Sequence, residues 1–238
     1  YLSSSGRPAD TRERELLAPF PGAVLPSILD GTYLQPAGDG TPQDRANAKR
    51  AYDLLVSAGY KLDAGIMRDA STGAPLTFEI LAGSNSQERL FLSFKNNLAR
   101  LGIAVAIRVV DSAQYQSRLK DYDYDMVQFP WPASLSPGNE QLFRWSSGVV
   151  NQPGSFNYAG VANPATDAMI NAMLTATTAQ DFTSAVRALD RVLLSGHYVI
   201  PLFHIPKQWV AHWAHMKYPS VTPVSGYNLD SWWIEKTN

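Results

Sequence analysis

The sequence predicts an α/β fold, a parallel βαβαβ sheet flanked by helices with extended segments at both ends. Three observations carry the prediction. Apolar residues alternate at Leu76, Phe78 and Ile80, alternate again at Ile103, Val105, Ile107 and Val109, and form a third strand-like run over residues 124–129. Helical spacing at Leu90, Phe94, Leu98 and Leu101 fills the first gap, opened by Ser84-Asn85-Ser86-Gln87 in capping-box order and closed by Gly102. In the second gap Asp111 caps a shorter helix running to Leu119. Strands separated by helices in this rhythm give a parallel sheet with right-handed crossovers.

Ahead of the sheet, residues 1–42 carry Pro8, Pro19, Pro21, Pro26, Pro36 and Pro42 among glycines and polar residues. This predicts an extended wrapping segment with one short helical stretch over residues 11–17. Thr41 and Pro42 supply an N-cap and a first-turn proline for the next helix, whose apolar face is Ala48, Ala51, Leu55 and Ala58 and whose stop is Gly59. After the sheet comes an aromatic loop over residues 130–162, punctuated by Pro and Gly and too long for an idle connection. Asn163-Pro164 opens a helix with Met169, Ile170, Met173 and Leu174 inward. Thr178 and Asp181 open a second, with Phe182, Val186, Leu189, Val192 and Leu193 inward and Gly196 as its stop. Residues 198–204 and 208–213 read as a strand pair, and the tail through Trp232, Trp233 and Ile234 as an extended closing segment. The resulting division is a wrapping segment over 1–42, a lobe over 43–205 and a return segment over 206–238.

Composition narrows the function classes. With 238 residues, 45% of them hydrophobic, the chain can bury a sizeable core. Its 20 basic and 21 acidic residues nearly cancel and form no long run of one sign, so nucleic acid is not an expected partner. No apolar stretch approaches the ~20 residues of a membrane span. The absence of cysteine excludes disulfides, thiol nucleophiles and Cys-based metal sites.

Catalytic signatures are missing: G-x-S-x-G, H-E-x-x-H, the phosphate-binding G-x-x-x-x-G-K-[ST] and G-x-G-x-x-G do not occur. His212-x-x-His215 has the residue type for metal binding, but residues three apart on a strand point to opposite faces, so both read as structural or surface histidines. Asp121, Asp123 and Asp125 lack the Gly and Glu of a calcium loop and read as a solvated turn. No metal, cofactor or catalytic residue is expected. The informative stretch runs from Phe129 to Glu140 and continues through Phe143-Arg144-Trp145-Ser146-Ser147 and Phe156-Asn157-Tyr158. It starts where a parallel strand ends, which is where open α/β sheets bind ligands. Trp131 and Trp145 offer contact area, and Ser134, Asn139, Glu140 and Arg144 offer polar groups to fix a ligand's ends. The competing reading of the same rings is packing of a long loop onto the domain.

Several motifs add a resemblance. They are Leu16-Leu17-Ala18-Pro19-Phe20, Arg45 through Ala58-Gly59-Tyr60, Leu98-x-x-Leu101-Gly102-Ile103, Val110-Asp111-Ser112-Ala113-Gln114-Tyr115, Tyr122-Asp123-Tyr124-Asp125-Met126, Ser136-Pro137-Gly138-Asn139-Glu140-Gln141 and Asn157-Tyr158-Ala159-Gly160. Asn163-Pro164-x-x-Asp167 and Tyr198-Val199-Ile200-Pro201-Leu202 continue the series. In this order and spacing the chain resembles the family 5 extracellular solute-binding proteins, the dipeptide and oligopeptide receptors of ABC importers, and within them a YejA-like subgroup.

The resemblance implies a periplasmic-binding-protein-like class II lobe, the C-terminal portion of a longer two-lobed receptor. Related receptors carry, after the third strand, a Trp and then an Asp that pairs with the peptide's amino terminus. Trp131 matches the Trp, Ser134 falls near the Asp, and Glu140 and Asp125 are the substitutes on offer. Arg118 falls where such receptors place an Arg facing the cleft. The implied function is non-catalytic capture of oligopeptides or peptide-like solutes outside the cytoplasm, in the periplasm. Implied partners are the membrane permease of an ABC importer and the remaining lobe of the same protein. The opening residues read like the interior of a longer polypeptide, without a signal segment. Two other readings stay open: a serine-dependent peptide or amide hydrolase using Ser146 or Ser134, although every His lies after residue 196 without a partner motif, and a scaffold lobe that binds no ligand.

Overall fold

The computed structural model describes residues 3–41, 44–131, 136–150, 152–203, 209–224 and 226–235. In chain order its elements are helices α1 (Thr11–Leu17), α2 (Pro26–Leu29) and α3 (Arg45–Ser57), strands β1 (Tyr60–Asp63), β2 (Ile66–Asp69) and β3 (Thr77–Ala82), helix α4 (Asn85–Ala99), strand β4 (Ala104–Val109), helix α5 (Ser112–Lys120) and strand β5 (Met126–Val127). Helices α6 (Glu140–Trp145), α7 (Pro164–Leu174) and α8 (Ala179–Gly196) follow, then strands β6 (Met216–Lys217) and β7 (Trp233–Ile234). The chain divides into two compact units, one of Tyr1–Pro132 with Pro137–Tyr198, the other of Ala133–Ser136 with Val199–Asn238.

In the larger unit the sheet is parallel, as predicted; its strand order is β4-β3-β5. The alternation sets its register: Phe78 pairs with Val105 and Ile80 with both Ile107 and Met126. Phe78, Ile80, Val105 and Ile107 share one face, and Phe91, Phe94 and Leu98 of α4 cover it. Because β3 is central, the crossover through α4 leads to one side of it and the crossover through α5 to the other. The loops at the carboxyl ends therefore diverge beside β3.

Ser84 and Asp111 cap α4 and α5 through their side chains, and Gly102 takes the left-handed conformation after α4 at φ 78°. A Cβ on Gly102 would lie 2.7 Å from the Met67 nitrogen, so glycine is required there for space as well. Met67 belongs to the β1–β2 hairpin, which the sequence reading missed. Its turn, Ala64-Gly65, has positive φ at both residues, the geometry that joins two antiparallel strands tightly.

The second core of the larger unit is helical. α7 and α8 pack together through Met169, Ile170, Met173, Ala185, Leu189 and Val192, and Leu17 of α1 joins them. Asn163, Thr178 and Pro164 open these helices as expected. Leu174, expected inward, is exposed at the last turn of α7. His197, not Gly196, takes the left-handed position after α8, at φ 50°. A Cβ on Gly196 would collide with the Tyr198 ring, so a larger residue there requires that ring to move.

The amino-terminal segment joins this core: Leu17 is buried in it, and Leu16, Phe20, Ala23, Val24 and Leu29 pack against it. Arg191 donates from Nε to Glu13 Oε2 and from Nη1 to the Ile28 carbonyl, both at 2.5 Å, with the Arg191 and Glu13 side chains 0% and 1% exposed. Ser4 donates from its backbone N–H and its hydroxyl to Asp190, each at 2.8 Å.

Two element readings need correction. α3 is capped by Asp44, whose carboxylate accepts from Asn47 N–H at 2.9 Å and so satisfies the end of the helix later than Thr41 would; Pro42 lies outside the described residues. Residues 198–203 and 209–213 form no strand; 204–208 lie outside the described residues. In the smaller unit the extended pairing is instead β6 with β7, antiparallel, beside a ring cluster of His212, Tyr218, Tyr227 and Trp232. Among the described residues no helix is long and apolar enough to cross a membrane.

Candidate ligand-binding site

The carboxyl end of the sheet has a built rim. Gly83 follows β3, and the Tyr115 ring of α5 lies over it so closely that a Cβ on Gly83 would stand 3.0 Å from the ring. The Gln87 side chain accepts from Gly83 N–H at 2.7 Å. The Tyr115 hydroxyl donates to the Gln128 carbonyl, the first residue past β5, at 2.9 Å. Burial pushes the Tyr115 phenol up, so it stays protonated and serves as this donor.

From that rim a row of rings runs outward. Phe129 meets Tyr158 at 4.5 Å between centroids and Trp131 edge-on at 5.9 Å, and Trp131 meets Trp145 at 5.1 Å. Trp145 in turn rests on the helical core. The returning loop is fixed by Asn157, which is fully buried: its side chain donates to the carbonyls of Ser146 and Val161 and accepts from Val161 N–H. Tyr124 donates to the Tyr158 carbonyl at 3.0 Å, and Tyr122 and Ser155 share a short hydroxyl hydrogen bond. These bonds clamp the loop along the short edge strand β5. Trp131 Nε1 and Gln128 Oε1 are both buried atoms without a hydrogen-bond partner among the described residues.

The structure brings together Trp131 and Trp145, and places Asn139, Glu140 and Arg144 on α6, the helix that carries Trp145. Asn139 occupies the N-cap position of α6 without a side-chain capping bond. Burial alone would raise the Glu140 carboxyl, but backbone N–H groups including that of Gly138, the Gln141 amide and the charge of Arg144 outweigh it and hold the carboxyl below its ordinary value. Ser134 lies outside the described residues.

Arg118 stands apart from this group. Its guanidinium donates to Glu79 Oε1 at 2.7 Å and to Asp123 Oδ2 at 2.8 Å, on the amino side of β5. Asp125 is likewise engaged, accepting from Glu79 N–H at 2.7 Å. Ser146 accepts from Gly148 N–H in the 3-10 turn that follows α6, and none of the described histidines hydrogen-bonds a serine. His212 and His215 face different rings, His212 against Tyr218 and Trp232 and His215 against Trp213.

Tyr115 and Gln128 are the site residues that the sequence reading missed. The only sequence signal was position: Gln128 is the last polar residue of the third apolar run, and Tyr115 sits four residues past the Asp111 cap.

Comparison with known proteins fits this arrangement. Residues 22–152, over half of the chain, match the family model described as bacterial extracellular solute-binding proteins, family 5 Middle. A Brucella melitensis protein named only as a binding protein is 56% identical across 98% of the chain. The peptidoglycan-binding protein YepA of Agrobacterium fabrum is 47% identical across 98%, and the probable peptide-binding protein YejA of that bacterium 37% across 99%. The chain spans 38% of the length of each of these relatives.

Among solved structures, the oligopeptide-binding protein AppA of Bacillus subtilis, in complex with a nonapeptide, superposes with a TM-score of 0.64 at 16% identity, over 99% of this chain and 46% of that one. A periplasmic oligopeptide-binding protein of Thermotoga maritima with bound mannohexaose gives 0.57 at 17% identity, over 84% of this chain and 39% of that one. These two likenesses establish a class II periplasmic-binding-protein-like fold.

Proposed function

The chain belongs to the bacterial extracellular solute-binding proteins of family 5, and from that premise we propose that it is the C-terminal binding lobe of a non-catalytic receptor for oligopeptides or peptide-like solutes. The receptor works in the periplasm and delivers its ligand to the membrane permease of an ABC importer. The remaining lobe of the same protein closes over the ligand's other face.

The observation that carries this reading is the row Phe129, Trp131, Trp145 at the carboxyl end of the sheet, held in place from below by Tyr115 and from the side by Asn157. Rings of this kind give contact area without demanding one side-chain chemistry. Asn139, Glu140 and Arg144 lie on the helix beside the row and engage the ligand's polar ends, with Ser134 on the connecting segment. Glu140 is the carboxylate that would face a free amino terminus, because it stands on the helix that carries Trp145, whereas Asp125 lies ahead of β5, bonded to Glu79 N–H. Arg118 acts at one remove, fixing the end of α5 to β3 through Glu79. Identity to a peptidoglycan-binding relative supports extending the ligand class to peptides cut from peptidoglycan.

The test is to incubate the full-length protein with short oligoalanines, with the murein tripeptide L-alanyl-γ-D-glutamyl-diaminopimelate and with mannohexaose, and to identify by mass spectrometry what is retained. Intact retained peptide is the expected result. Cleaved peptide would make the protein a hydrolase, retained sugar alone would change the ligand class, and nothing retained would leave only a scaffold.

A further inference from the structure

We infer that Tyr122 and Tyr124 are positioning residues for the binding site. From the turn that ends α5 they hold the returning loop over residues 155–158, and ligand affinity depends on that hold. The inference rests on the peptide-binding reading above and adds the part of the molecule that keeps its aromatic row in place.

The first observation is a backbone conformation. Among the described residues Ala64, Tyr122 and His197 are the non-glycine residues with positive φ, and Tyr122 has 56°. It stands just past α5, where its N–H donates to the Leu119 carbonyl at 3.4 Å and the Asp123 N–H to the Arg118 carbonyl at 3.0 Å. Glycine takes this position after a helix without steric cost, whereas a bulky aromatic in it is an outlier. Such a conformation persists only where the surroundings over-determine it, and residues of this kind cluster at functional sites.

The second observation is that the segment bonds in two directions. Its acids tie it to the sheet: Asp123 accepts from Arg118 Nε at 2.8 Å, Arg118 also bonds Glu79 of β3, and Asp125 accepts from Glu79 N–H at 2.7 Å. Its tyrosines reach the loop. Tyr122 shares a hydrogen bond with the Ser155 hydroxyl, and Tyr124 donates to the Tyr158 carbonyl at 3.0 Å, with the two rings 6.4 Å apart. Burial pushes the Tyr124 phenol up, so it remains a donor. Ser155 passes the hold on by accepting from Asn157 N–H at 3.3 Å. Phe156 and Tyr158 of this loop both meet Phe129, which meets Trp131. A glycine at position 122 would ease the backbone but release Ser155, and with it the loop that backs the aromatic row. Tyrosine there favours the placement of the loop over the ease of the turn.

The test uses the full-length protein, with calorimetric titration against trialanine and the murein tripeptide, and with hydrogen exchange read by mass spectrometry over residues 152–161. Tyr122→Gly should move the melting temperature by only a few degrees, since relief of the left-handed backbone offsets the lost contacts. It should nevertheless speed exchange in the loop and weaken binding, each about tenfold, the scale of one lost hydrogen bond. Tyr122→Phe and Ser155→Ala remove the same bond from its two ends. Each should weaken binding by the same factor, and the two together should be no worse than either alone. Ala64→Gly eases the same kind of backbone in the β1–β2 turn and should leave loop exchange and affinity unchanged.

Wild-type affinity in Tyr122→Gly, whether or not exchange speeds up, makes the tyrosines architectural and overturns the inference while peptide binding stands. An affinity loss that Ala64→Gly reproduces overturns it too, as does a loss without faster exchange, which would make Tyr122 a contact residue. Failure of wild type to bind trialanine and the murein tripeptide overturns the peptide reading itself, and this inference with it.

Discussion

The larger unit buries polar groups in two places, and it treats them in opposite ways. In the helical core Arg191 meets Glu13 through Nε and the Ile28 carbonyl through Nη1, and of its three nitrogens only Nη2 lacks a partner among the described residues. At the end of the sheet Gln128 Oε1 and Trp131 Nε1 have no hydrogen-bond partner among the described residues. The first arrangement closes on itself across 178 residues of sequence, so it joins the amino-terminal segment to α8 and has no reason to face a ligand. The second leaves an acceptor and a donor beside exposed aromatic surface. Buried polarity that is satisfied within the chain marks architecture, and buried polarity left open beside a surface marks recognition.

The largest expected effect tests the architectural side. Arg191→Met leaves the Glu13 carboxylate enclosed without a cation, and breaking a buried pair from one side typically destabilises by about 3–5 kcal/mol. Denaturant unfolding should show a loss of that size. The double change Arg191→Met with Glu13→Leu should recover most of it, since replacing both partners by apolar groups is often nearly neutral. Ligand affinity should be unchanged at protein concentrations where the variants remain folded. A double variant no more stable than the single one would show that the pair contributes through its bond to Ile28 and not through charge neutralisation.

The recognition side predicts the reverse pattern at Trp131. Trp131→Ala should weaken ligand binding by about 1–3 kcal/mol, the range for an anchoring aromatic. The melting temperature should fall by only a few degrees, because the ring is half-buried and its contacts with Phe129 and Trp145 are each worth roughly 1 kcal/mol. A large stability loss with unchanged affinity would move Trp131 to the architectural class and erase the contrast.

The two regions also differ in how far the sequence revealed them. The helices around the Arg191 pair were legible because caps and apolar spacing are local: Asn163-Pro164, Thr178 and the run from Met169 to Val192 state their roles within one or two turns. The pair itself was not, since nothing near Glu13 announces a partner in α8. The sheet was legible for the same local reason.

The hairpin at residues 60–69 escaped because its strands do not alternate cleanly and its turn residues, Ala64-Gly65, are a weak signal. The strand pair expected over residues 198–213 failed in the opposite way. Residues such as Phe203, Trp209 and Trp213 have the composition of a strand, yet they are 74%, 93% and 75% exposed. Composition reports that a side chain seeks burial, not that this chain provides it. At the site, the rings were visible as an aromatic loop. The engagement of Arg118 by Glu79 was not, because it depends on β3 lying beside β5.

The smallest expected effect concerns Glu140, which lies between the two classes. Its hydrogen bonds come from its own chain, from Gly138 N–H and the Gln141 amide, yet it stands on the helix that borders the proposed site. Its folded-state carboxyl is held below the ordinary value of 4.5, so the charged form is favoured by folding. The stability this supplies is present above that value and is lost as pH falls through the lower folded value. Solvent screening limits the amount to roughly 0.5 kcal/mol or less. Melting curves of wild type and Glu140→Gln should therefore differ slightly at neutral pH and converge in acid, once the carboxyl is protonated in both states. If the difference persists in acid, the loss comes from altered packing at the start of α6, and Glu140 joins the architectural side. If it vanishes, the charge is the active feature. An N-acetylated trialanine should then lose affinity relative to the free peptide in wild type but not in Glu140→Gln, which would place the carboxylate at the ligand's amino terminus.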